Sequence, residues 1–232
     1  MNTTMQTRMP ARTFHARAGA LALCAALALP VLLAGCAPVL IGAAAGGTAS
    51  VAADRRTVSQ QAIDRGLQLE ADSTLDLKIG QRGNVGASVF NGRILLSGEV
   101  RNKQDKALAE TTAKALKNAR EVINEIVVGP LSSVSGRVQD TYLTSRVKAA
   151  MIVTSGVPSN SMRIVTANGV VFLMGLATEN EGRVAADVAS GIGGVRRVVK
   201  FFETLSPEEL KAIEKRQSDE GKSPAPNQAP AK

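Results

Sequence analysis

Apolar residues recur every fourth position at Ile63, Leu67, Ala71, Leu75 and Ile79, which predicts one buried stripe of a helix with Asp64, Arg65 and Gln68 off it. Two short β-like runs follow, Ala87-Ser88-Val89-Phe90 and Arg93-Ile94-Leu95-Leu96, joined by Asn91-Gly92. Asn-Gly between two such runs predicts a hairpin, because both turn positions need positive φ. Asn102 is placed to cap a second helix, with Leu108, Thr112, Ala115, Leu116 and Ala119 on one face, and Val122–Val128 reads as a closing strand.

The same order then returns. Leu143, Val147 and Met151 mark a helix from about Asp140 to Val153, with Asp140 suited to its N-cap and Gly156 and Pro158 beyond its end. Asn168-Gly169 joins Arg163–Thr166 to Val170–Leu173, so Asn91–Val100 aligns with Asn168–Ala177, each block reaching a glycine at Gly98 or Gly175. Thr178-Glu179-Asn180-Glu181 is a capping box ahead of Val184, Ala185, Val188, Ala189 and Ile192. Gly191, Gly193 and Gly194 stop that helix, and Val195–Phe201 is the last strand. The fold class is therefore α+β: two tandem α-β-β-α-β units over 61–129 and 138–205, each a small three-stranded sheet covered by two helices on one side, with 130–137 as linker. In 206–232, Ser206-Pro207-Glu208-Glu209 starts a short helix to about Gln217, ahead of a tail with almost nothing to bury.

Met1–Arg17 is basic and Ala18–Leu33 almost wholly apolar, the order of a secretory signal peptide. The run ends in Leu33-Ala34-Gly35-Cys36, which resembles the bacterial lipoprotein signal. That resemblance implies removal of residues 1–35, diacylglycerol on the Cys36 thiol and an N-acyl chain on the new terminus. Ala37 in place of Asp implies the outer membrane rather than the inner one. Residues 36–60, rich in Gly, Ala, Ser and Thr, are expected to be a flexible tether.

Composition narrows the chemistry. His15, Cys24 and Cys36 are the only imidazole and thiols, so the processed chain has no histidine and no free thiol. Ser-His-Asp and Cys-His catalysis, His/Cys metal sites and internal disulfides are thereby excluded, and no cofactor is expected beyond the acyl chains on Cys36. Glu179 and Glu181 read as first-turn helix charges, leaving no unexplained carboxylate pair and no expectation of an enzyme. The formal charge of +8 falls to +5 once the leader removes three arginines and no acids. No basic run carries stacking aromatics, which argues against nucleic acid as a partner.

The Asn-Gly…Gly hairpin, the capped helix and the Gly194-Val195-Arg196-Arg197-Val198 strand resemble the BON domain. Two such units behind a lipoprotein signal resemble the dual BON-domain outer-membrane lipoproteins of the DolP/YraP type, most closely over Gly169–Glu179 and Asp140–Thr144. The resemblance implies a non-enzymatic protein facing the periplasm from the outer membrane. It further implies binding of anionic phospholipid by the second unit, support of outer-membrane integrity, and placement at division sites.

On the helix from Asp140, the face neighbouring the core stripe carries Tyr142, Ser145, Arg146, Ala149, Ile152 and Val153. Residues alone leave Tyr142 as either a plug in the seam between units or an interfacial aromatic; the resemblance favours a lipid face, with Arg146 and Lys148 meeting phosphates. Arg196, Arg197 and Lys200 alternate across a strand and read as a solvated edge. Residues 138–205 hold seven basic and five acidic groups, so a lipid site there also needs apolar insertion. The rival reading is an adaptor for an envelope protein or peptidoglycan, accepting a partner strand at a sheet edge.

Overall fold

A computed structural model describes residues 54–220. The leader, Cys36, most of the expected tether and the tail from 221 lie outside the described residues. The first unit comprises α1 (Val58–Lys78), β1 (Gly83–Phe90), β2 (Arg93–Val100), α2 (Lys103–Lys114), β3 (Glu121–Asn124) and β4 (Val127–Val128). The second comprises α3 (Val134–Val153), β5 (Met162–Ala167), β6 (Val170–Ala177), α4 (Glu179–Ser190) and β7 (Arg197–Thr204), and α5 (Pro207–Glu220) follows.

In each sheet the hairpin is antiparallel and the closing strand runs parallel to its middle strand. Both turns are left-handed at two successive residues, with φ of 52° and 73° at Asn91 and Gly92 and of 50° and 69° at Asn168 and Gly169. Gly98 and Gly175 are demanded by the strands they face, since a Cβ would lie 1.9 Å from the Asn84 carbonyl oxygen or 2.4 Å from that of Ser161. The closing strand of the first unit is broken at Glu125-Ile126, where the Asn124 side chain accepts from the Ile126 amide and the Ile126 side chain drops into the core.

The helices cover one face of each sheet. Leu67, Ala71, Leu75 and Ile79 meet Val89, Ile94, Leu96 and Val100 in the first unit. Val147 and Met151 meet Ile164, Val171, Leu173, Ala185 and Ala189 in the second. The opposite faces pack against each other, burying Phe90 and Leu95 with Phe172, Met174 and Leu176. The order is thus helices, sheet, sheet, helices, and Tyr142 is no plug in the seam: the two sheets fill it themselves.

Several local expectations change. Ile63 is exposed, and Asp64 takes the buried position beside it. Helix α2 turns Asp105, Ala109 and Ala113 inward, leaving Ala115 exposed. Helix α3 starts at Val134 with Ser133 as its cap, so Asp140 lies within the helix and the linker shrinks to a few residues. Helix α5 runs three residues past Gln217 with the expected capping box at Ser206 and Glu209. The tether gives way at Asp54: the Arg55 amide donates to Ser161 Oγ at 3.1 Å.

Candidate functional site: the outer face of helix α3

Asp140 explains how α3 is held. Its carboxylate accepts from the turn amides of Asn168 at 2.7 Å and Gly169 at 2.8 Å. Asp64 does the same for the first unit, accepting from Asn91 at 2.6 Å and Gly92 at 2.8 Å. In each unit, then, a mid-helix aspartate catches the two N–H groups that a tight turn leaves unpaired inside its own hairpin.

Both turns also reach the other unit. The Asn168 side chain donates to Glu99 at 2.9 Å, and the Asn91 side chain donates to Glu203 at 2.9 Å. Burial pushes the Glu99 carboxyl up, but hydrogen bonds from Asn84, Ser132 and Asn168 outweigh it and hold the group below its ordinary range. Arg93 adds a bond to the Phe201 carbonyl at 2.6 Å. These contacts fix α3 relative to the rest of the body.

With Leu143, Val147 and Met151 turned inward, the six residues Tyr142, Ser145, Arg146, Ala149, Ile152 and Val153 are all exposed on α3. The apolar ones are well out in solvent, Tyr142 at 55%, Ile152 at 61% and Val153 at 83%. Val138 and Val134 continue the line one and two turns before Tyr142 and are also exposed. The sequence reading leaves both off the helix, Val134 in the linker and Val138 just before the start expected at Asp140, although their fourth-residue spacing to Tyr142 is the available signal. The Arg146 guanidinium lies 5.7 Å from the Tyr142 ring centroid and donates to the Gly193 carbonyl at 3.2 Å.

Lys148 does not join this face. Its ammonium donates to the Ser159 carbonyl, and burial holds its pKa below the ordinary value. The charge balance of the face still favours anions, because the one carboxylate of α3, Asp140, is spent on the hairpin. The matching helix α1 exposes Glu70, Asp72 and Asp76 instead. Arg196 lies over the second hairpin turn, within 2.8 Å of where a Gly169 Cβ would stand, while Arg197 and Lys200 are exposed on β7.

Among the described residues no helix is long and apolar enough to cross a membrane, and no three His, Cys, Asp or Glu side chains cluster to hold a metal. The pairing of two α-β-β-α-β repeats defines a duplicated module protein. Residues 69–130 and 139–205 each match the BON domain, and the chain belongs to that family. It is 37% identical over 181 residues to the outer membrane lipoprotein DolP of Haemophilus influenzae, covering 77% of this chain and 93% of that protein. It is 27% identical to a 21 kDa hemolysin of Actinobacillus pleuropneumoniae, covering 64% and 78%. A third relative is the osmotically-inducible protein Y of Escherichia coli, at 29% identity over 48% of this chain and 57% of that one. Within the family the chain is of the DolP type, a BON-domain lipoprotein of the outer-membrane envelope.

Proposed function

We propose that this protein, anchored through acyl chains on Cys36 and facing the periplasm, acts without catalysis by binding anionic phospholipid through the outer face of α3, and so supports outer-membrane integrity. The observation that carries this reading is the exposed line from Val134 through Tyr142 to Val153, apolar at its ends, cationic at Arg146 and free of unengaged carboxylates. Burying Tyr142, Ile152 and Val153 at a bilayer surface contributes about 1–2 kcal/mol each. A basic group near an anionic surface adds ~1 kcal/mol. The sum is a reversible contact, suited to a protein whose permanent hold on the membrane is its acyl chains.

The test is flotation of the chain from residue 37 onward with vesicles. Binding is expected with phosphatidylglycerol present and weak with phosphatidylcholine alone. Tyr142→Ala is expected to weaken it, and Ile152→Asp to abolish it. Equal flotation of all three proteins removes α3 from the site. Indifference to headgroup favours the adaptor reading.

A further inference from the structure

Asp54–Arg56, within the stretch expected to be tether, are gripped from three sides. The Arg55 guanidinium donates to both carboxylate oxygens of Glu181 at 2.7 Å and to the Leu176 carbonyl at 3.0 Å. Arg56 turns to the first unit, pairing with Asp64 and Asp54 at 2.6 Å and lying 4.0 Å over the Phe90 ring. Helix α5 closes over the segment, Arg216 donating to the Arg55 carbonyl at 2.8 Å and Gln217 to that of Asp54 at 2.9 Å. The Arg55 and Glu181 side chains are only 11% and 17% exposed, so this bidentate pair is largely shielded from water. A plain connector needs none of these contacts.

Position gives the grip its meaning. Arg55 and Glu181 line one cleft of about 550 Å³ together with Ile152 and residues 154–160, at the C-terminal end of α3. We infer that Asp54–Arg56 is a clasp that delivers the membrane-anchored chain to the folded body at the Ile152–Val153 end of α3, so that the anchor and the lipid-binding face meet one bilayer from the same side. Arg55 is its positioning residue. The inference rests on the lipid reading of α3 and on acylation of Cys36. From Cys36 to Asp54 is 18 residues, which fully extended span at most ~65 Å. Helix α3, with 20 residues, is about 30 Å long. Gripping the chain at one end of that helix therefore gives its two ends unequal access to the membrane, and raises the effective concentration of lipid at the Val153 end.

The experiment uses the lipidated full chain in vesicles of phosphatidylethanolamine and phosphatidylglycerol. An environment-sensitive thiol label is placed at Val153→Cys or Val134→Cys, one at a time. Cys24 leaves with the leader and Cys36 is acylated, so the introduced thiol alone reacts. The emission shift at position 153 is expected to exceed that at 134 by about twofold or more. Arg55→Gln is expected to lower that ratio about twofold, and Arg55→Lys to keep it. In the chain without its anchor, Arg55→Gln is expected to bind vesicles within about twofold of the parent, because the face itself is untouched. An unchanged ratio in Arg55→Gln overturns the clasp. If neither label responds and the unanchored chain does not bind, the lipid reading has failed, and trypsin then judges the clasp by itself. Cleavage after Arg56 must be about tenfold faster in Arg55→Gln than in the parent, and equal rates sink it.

Discussion

Removing the Asp64 carboxylate tests the idea that each hairpin is held by the helix before it. Asp64 is 3% exposed and serves four donors: the Asn91 and Gly92 amides, Arg56 at 2.6 Å and Gln60 at 2.8 Å. Hydrogen bonds to a charged group contribute about 1.5–3 kcal/mol each, and Asp64→Ala also strands two turn N–H groups. Arg56 keeps Asp54, so its charge is not left alone. The expected cost is about 3–5 kcal/mol. Asp140→Ala breaks the equivalent pair of turn bonds at a more exposed position that lacks a cation, and about 2–3 kcal/mol is expected. Urea unfolding of the chain from residue 37, followed by circular dichroism, measures both. With a slope of about 2–3 kcal/mol per M, Asp64→Ala moves the midpoint by roughly 1.5 M. A cost under about 1 kcal/mol, or a larger loss for Asp140→Ala, refutes the reasoning.

Gly98→Ala combines a φ of 107° with a Cβ driven to 1.9 Å from the Asn84 carbonyl oxygen, so a loss of about 3 kcal/mol or more is expected in thermal unfolding, larger than for Gly175→Ala. The depressed pKa of Glu99 makes its contribution to stability complete above the ordinary value of 4.5, and that contribution is lost as pH falls through the lower folded value. Glu99→Gln is therefore expected to flatten the acid limb of a stability–pH curve, and an unaltered limb contradicts the assignment.

The hairpins, capped helices and repeat were legible because their signals are local: Asn-Gly turns, fourth-residue spacing and capping residues need no distant partner. Asp64 and Asp140 were not, because burying a carboxylate is favourable only when a turn 27 or 28 residues later supplies its donors. The start of α3 was hidden for a similar reason, since its first two turns bury nothing: Val134, in the stretch read as linker, and Val138, just before the start expected at Asp140, are both exposed. The back-to-back sheets do leave a trace in the sequence: Val170–Leu176 is apolar at nearly every position, the mark of a strand covered on both sides. Arg55 offered none, as its partner Glu181 already had a sufficient local role in the capping box. All six α3 positions share one exposed surface, whereas Lys148 was lost from it to a neighbouring carbonyl.

Because Phe90 and Leu95 find their cover in Phe172 and Met174, neither repeat is self-sufficient. A gene fragment encoding one half would yield a domain with an adhesive back, which another copy of itself, or any passing greasy strand, would coat. Duplication within one polypeptide removes that hazard during export, since the complementary surface arrives on the same molecule and at a concentration no dilution can lower.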